Sequence, residues 1–160
     1  MYEANIIGSD RLTDIGLVKI VASNLIPISI GNSDKMLVGD LAVAIGHPLT
    51  LGAAPTVTTG VVSALERRLD VGGDLMGSSV TLFGLIQTDA PITRGSSGGA
   101  LINKNGELIG ITTAIATADV GAEGLGFAVP INLALNIAED LIKDGKILHA
   151  FLGILGAQHF

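Results

Sequence analysis

The sequence predicts an all-β fold, and three observations predict it. Apolar residues fill 48% of the 160 positions and aromatics only 3%, while 22 glycines cut the apolar stretches into short Val/Ile/Leu/Thr runs. Runs of that length, bounded by glycine and proline, read as the strands of a barrel or sandwich. About six of them fall between Lys35 and Val129, enough to close a small Greek-key barrel. Only the segment after Pro130 has helical spacing.

In chain order, Glu3 to Gly8 reads as a short strand, Ser9 to Asp14 as a polar turn, and Ile15 to Ile20 as a second strand, which puts Asp14 at a strand mouth. A carboxylate there has an ordinary structural use, capping a backbone N–H of the turn. Ser23 to Ser33 is a loop. Asp40 to Ile45 is a strand ending in the Gly46-His47-Pro48 turn, and Thr56 to Leu65 alternates Thr and Val before Glu66-Arg67-Arg68. The glycine-rich Asp70 to Ser79 is expected to be a mobile loop. Val80 to Thr88 follows as a strand. Ala100-Leu101-Ile102 and Glu107 to Ala116 flank Asn105-Gly106, a strong hairpin signal. After a polar loop from Thr117 to Gly124, Leu125 to Val129 is the last strand. The helix comes next: Asn132 is placed to cap it, Leu133, Leu135, Ile137, Ala138, Leu141 and Ile142 make one apolar face, and Gly145 stops it.

Composition removes several classes of function. The net charge is −6, with no basic cluster beyond Arg67-Arg68, which argues against a nucleic-acid partner. Mean hydropathy is high at +0.60, yet no apolar run reaches the roughly 18 residues of a membrane-spanning helix. The first residues have neither the basic start nor the apolar stretch of a signal peptide. Zero cysteines exclude disulfides and thiolate metal sites. His47, His149 and His159 lack metal-ligand spacing, and no cofactor is expected.

One stretch carries chemistry, Thr93-Arg94-Gly95-Ser96-Ser97-Gly98-Gly99-Ala100-Leu101. A Gly/Ser cluster is commonly a flexible connector, but this one lies between two apolar segments of one compact unit. Gly-x-Ser-Gly-Gly suits a nucleophilic serine. The glycines let the chain turn where a Cβ would block it, and backbone N–H groups converge where a carbonyl oxygen becomes negative. Ser97 is then the nucleophile, with the N–H groups of Gly95 and Ser97 as the oxyanion hole. Ser96 is the competitor, but Ser97 holds the serine position of the pattern.

Six blocks place the chain beside a family. Thr13-Asp14-Ile15-Gly16-Leu17-Val18-Lys19-Ile20, Ala44-Ile45-Gly46-His47-Pro48, Thr59-Gly60-Val61-Val62-Ser63, Gln87-Thr88-Asp89-Ala90-Pro91-Ile92, Gly95 to Leu101, and Gly124-Leu125-Gly126-Phe127-Ala128-Val129-Pro130 occur in the order seen in the HtrA (Deg) family of trypsin-like serine endopeptidases. The resemblance runs over nearly the whole chain. It implies a chymotrypsin-like double β-barrel with the first barrel truncated, the second complete, and a C-terminal helix. Residues 1–34 would be the last strands of the first barrel, 35–130 the second barrel, 131–146 the helix, and 147–160 the start of a linker toward an absent PDZ domain.

The same resemblance assigns Asp14 as the triad aspartate and Ser97 as the nucleophile. It puts Thr113, Ala114 and Ile115 along a substrate backbone as an added strand, and Ile92 and Leu125 at the walls of an apolar specificity pocket. Pro91 stands where trypsin-type pockets hold an acid, which disfavours cleavage after Lys or Arg and favours medium aliphatic residues such as Val. The family's triad histidine precedes the aspartate, and none of the 13 residues before Asp14 is a histidine. Asp14, His47 and Ser97 follow the order of subtilisins, but that arrangement needs an α/β sheet. His149 and His159 are expected to be solvated.

The implied function is proteolytic quality control of unfolded polypeptides, in the cell envelope or periplasm, by a chain inactive until a histidine is supplied. A non-catalytic fragment serving peptide binding or assembly is the alternative. With the first barrel incomplete, the surface around Ile6, Ile15, Leu17 and Ile20 is expected to be apolar and uncovered, which calls for a homo-oligomer or a complementing N-terminal segment.

Overall fold

The computed structural model describes residues 2–47, 54–71, 80–93, 95–115 and 124–150. Expectations for the loops at 72–79 and 117–123, and for His159, lie outside the described residues. Two strands open the chain, β1 (Ala4–Asp10) and β2 (Ile15–Ile20), paired antiparallel as a separate ribbon with an irregularity between Ile6 and Gly8. Six strands then close an antiparallel barrel: β3 (Leu41–Gly46), β4 (Thr56–Val71), β5 (Val80–Thr88), β6 (Ala100–Ile102), β7 (Leu108–Ile115) and β8 (Gly126–Pro130). Around the barrel their order is β3-β4-β5-β8-β7-β6. One helix, α1 (Ile131–Asp144), follows directly and packs against β7 and β8 as well as against the β1–β2 ribbon.

The two-residue repeat of a strand explains how the core is divided. Successive side chains point to opposite faces, so Leu85 and Ile86, Leu108 and Ile109, and Phe127 and Ala128 each split between two apolar clusters. Ile86, Leu101, Ile109 and Ala128 fill one cluster with Ala42, Ala44 and Val62 from β3 and β4. Leu85, Phe127 and Val129 join the other, where Ile131, Ala134, Ile137 and Leu141 of α1 cover them. Strand β8 is therefore buried on both faces, and its run of apolar residues without alternation is the sequence counterpart.

Three expectations need correction. Strand β4 does not stop before Glu66 but runs on to Val71, through register shifts against β5 and a left-handed Glu66 (φ 54°). Bulges of this kind let a charged stretch stay in a strand by turning its side chains outward. Asn132 does not cap α1. The residue before the helix is Pro130, with no side-chain cap, and Asn132 instead bonds Asn32 (Nδ2 to Oδ1, 2.9 Å) and the Ser33 N–H (3.4 Å). Ile15 is buried rather than uncovered, at 7% exposure, because α1 lies over it; Ile6 is open at 82%.

Candidate active site

The Gly95–Gly99 loop sits between β5 and β6 and is tied to β7 by its own backbone. The Ser96 N–H donates to Thr93 O (3.0 Å), Gly98 N–H to Thr112 O (2.7 Å), Gly99 N–H to Ser96 O (3.0 Å), and Thr112 N–H back to Gly99 O (2.9 Å). The buried Thr112 hydroxyl adds a bond to Ser96 O at 2.5 Å. These bonds consume the amides of Ser96, Gly98 and Gly99. Among the described residues, no acceptor meets the N–H of Gly95 or of Ser97. All three glycines are required. Gly95 and Gly98 have φ 91° and 83°, where L residues are strained, and a Cβ on Gly99 would lie 2.4 Å from Ile45 O and 2.8 Å from Ser96 O.

Ser97 is exposed, and its hydroxyl donates to the carbonyl of Thr113 on β7. The hydroxyl of the same Thr113, 6% exposed, donates to Asp14 Oδ2. Ser97 and Asp14, 83 positions apart by their numbering, thus meet the two polar ends of one buried residue. Ser96, the competing serine, packs instead on Gly46, with a Cβ there falling 2.9 Å from the Ser96 Cβ. The turn between β1 and β2 delivers Asp14 in a left-handed conformation, φ 59°.

Asp14, Ser97 and Thr113 line a cavity of about 470 Å³ whose other walls are apolar, from Leu17 on β2, Ile111 and Val129 on the barrel, and Ala134 and Leu135 on the helix. No histidine is among its lining residues. His47 is exposed at the end of β3, and His149 is not simply solvated, because its Nε2 lies 2.8 Å from Asp10 Oδ1. The arrangement sets a hydroxyl and a carboxylate on the wall of one cavity, beside a loop whose Gly95 and Ser97 amides have no acceptor among the described residues. Acyl transfer through Ser97 requires one thing more, a base within reach of its proton.

The residues expected at substrate subsites are placed as follows. Ile92 is buried at 6% exposure and its Cδ1 approaches the Cα side of Gly126, 2.7 Å from where a Cβ would be. Leu125 is half-buried beside it in sequence and packs on the cluster under the helix. Thr113, Ala114 and Ile115 end β7, where Ile115 pairs with Gly126; the side chains of Ala114 and Ile115 lie outside the described residues. Thr113 does more than the strand pairing expected of it. Its hydroxyl bond to Asp14 was unreadable in the sequence, because it joins positions 99 apart.

Comparison with known proteins agrees with this geometry. Residues 1–111 match the family described as the trypsin-like peptidase domain. The chain is 50% identical over 158 residues to the "Periplasmic pH-dependent serine endoprotease DegQ" of Escherichia coli, covering 98% of this chain and 33% of that protein. It is 46% identical over 157 residues to the "Serine protease PepD" of Mycobacterium tuberculosis, covering 93% and 33%. The chain thus spans about a third of the length of the curated relatives it matches. Among solved structures, "HtrA-type protease AlgW with decapeptide" superposes with a TM-score of 0.81 at 40% identity, over 96% of this chain and 44% of that one. Family model, relatives and solved structures agree with the six sequence blocks, and the chain belongs to the trypsin-like peptidases, in their HtrA (Deg) branch.

Proposed function

We propose that this chain is the serine-bearing part of an HtrA-type endopeptidase that cleaves unfolded polypeptides. One observation carries the reading: Ser97 and Asp14 line the same cleft and are both held by Thr113. In the reaction, Ser97 Oγ attacks the peptide carbonyl, and the N–H groups of Gly95 and Ser97 receive the oxyanion. A histidine from outside the described cleft takes the Ser97 proton and returns it to the leaving amine. Asp14 orients that imidazole and stabilises its charged form.

Residues 1–34 would then be the end of a first barrel, 35–130 the second, 131–146 the helix that closes the cleft, and 147–160 the start of an exit linker. Ile92 and Leu125 form the apolar specificity wall, with Pro91 in place of an acid, which favours small or medium aliphatic residues before the cut. The backbone from Thr113 to Ile115 receives the substrate as an added strand. The relatives' names, which include "periplasmic" and "endoprotease", support both the activity and a periplasmic location.

A fluorophosphonate probe tests the reading. The 160-residue chain alone should remain unlabelled, and a form extended upstream to include a histidine should label at Ser97. Ser97→Ala should abolish that labelling and lower peptide turnover by about 10⁴-fold or more. Labelling of the short chain would overturn the proposed origin of the base, and failure to label the extended form would sink the catalytic role of Ser97. In that second case a peptide-binding or assembly role takes its place.

A further inference from the structure

The turn that presents Asp14 is held from behind by a polar cluster that the proteolytic reading leaves unused. Asp10, the last residue of β1, is 8% exposed. Its Oδ2 accepts from the Thr13 N–H at 3.1 Å and from the Thr13 hydroxyl at 2.6 Å, which closes the turn immediately before Asp14. Its Oδ1 meets His149 Nε2 at 2.8 Å, across 139 positions of sequence. His149 belongs to the segment that leaves α1 after Gly145 and lies back against the end of β1 and the turn that follows it. Asp14 itself has φ 59°, a left-handed conformation that disfavours a residue with a Cβ and persists where neighbours fix it.

We propose that His149 is a positioning residue: hydrogen-bonded to Asp10, it locks the Asp10–Thr13 turn and so holds Asp14 toward Ser97. The segment leaving the helix thereby sets the readiness of the cleft. This inference rests on the proteolytic reading of Ser97 and Asp14.

The carboxylate of this contact is the charged member. Burial works against the charge of Asp10, but the hydrogen bonds from Thr13 and His149 and the attraction of His149 outweigh it, so its carboxyl is held below the usual carboxylate range. Thr81, Leu82, Phe83 and Leu85 of β5, Val129 of β8 and Leu133 of α1 share a cavity of about 310 Å³ with His149, and none of these is titratable. Among the described residues no other ion pair reaches Asp10 or His149.

The test compares wild type with His149→Arg, which keeps a donor to Asp10, and His149→Ala, which removes it. In the 160-residue chain, amide exchange of Thr13 is followed by NMR, with the barrel amides of β5 and β7 as controls for global folding. Protection of Thr13 should be about tenfold lower in H149A than in wild type, the scale of a lost hydrogen bond to a carboxylate. It should stay near the wild-type value in H149R. In the extended, peptide-cleaving form, H149A should lower kcat about tenfold with KM unchanged, and H149R should restore it. Thr13 protection that follows wild type in both variants, or an unchanged kcat in H149A, overturns the inference. If Thr13 responds as described while Ser97 never labels, the lock on the turn is supported and the proteolytic reading is what fails.

Discussion

Thr113 shows how one side chain can organise a site without performing its chemistry. Its carbonyl takes the Ser97 hydroxyl and its own hydroxyl goes to Asp14, so a change there acts on the carboxylate first. Thr113→Val keeps the shape but removes the donor, and losing a hydrogen bond to a charged group such as the Asp14 carboxylate costs about 1–3 kcal/mol. In a peptide-cleaving form we expect kcat to fall about 10- to 100-fold, with Thr113→Ser returning most of it; steady-state kinetics on a peptide decides this. Asp10 makes a prediction about pH. Its folded-state pKa is lowered from 3.8, so its contribution to stability is present above that value and is lost as pH falls through the folded pKa. Asp10→Asn should therefore cost about 1 kcal/mol at pH 6 and progressively less below pH ~4. Urea melts at several pH values would show the two curves converging in acid, and parallel curves would contradict it. Ser97 and Asp14 were readable as residues from motif and family order. Thr113's bond to Asp14 and the Asp10–His149 pair were not, because each joins positions about a hundred or more apart.

At the scale of elements, the apolar face of α1 was legible in part: the structure buries Ile137 and Leu141 along it together with Ala134, whereas Ile142 and Leu135, expected on the same face, are exposed at 70% and 36%. Leu141 is fully buried, beneath the ribbon and the barrel. Leu141→Ala should destabilise the fold by about 3 kcal/mol, combining lost transfer energy with the cavity left behind, as read from the denaturant midpoint. The ends of elements were less legible. Glu66-Arg67-Arg68 looked like the end of a strand because charge usually marks one. In β4 those side chains point outward, where Arg67 Nε donates to Gln87 at 2.8 Å and the Arg68 guanidinium lies 5.7 Å from the Phe83 ring centre. Asn132 looked like a cap because a polar residue often precedes a helical run. Its better partners, Asn32 and Ser33, come from a segment far upstream. Each miss has one cause: local preference was outbid by a partner that only folding brings near.

Taken whole, the molecule is a closed barrel carrying an open ribbon. The barrel leaves no edge among β3–β8, whereas the ribbon shows Ile6 and its cross-strand partner Val18 to solvent at 82% and 58% exposure. Val21 and Ile26, which follow β2 in sequence, are also exposed, at 86% and 96%. Paired apolar residues on an uncovered two-stranded ribbon favour association. The 160-residue chain should therefore scatter light as more than a monomer at high concentration, and Ile6→Lys with Val18→Lys should shift it toward the monomer. A wild-type chain that stays monomeric would contradict this.

The sequence by itself determined the strands and the α-helix of the described residues and the Gly95–Gly99 loop between β5 and β6, because period, turn residues and glycine placement are local properties of a chain. It also determined the family, through six short blocks in order. The tertiary structure decided which groups meet. It joined Ser97 to Asp14 through Thr113, buried Ile15 under the helix, and seated His149 on Asp10. Those contacts depend on barrel closure and on the path of the chain after α1, and no local pattern encodes the distance between residues that only a closed barrel brings together.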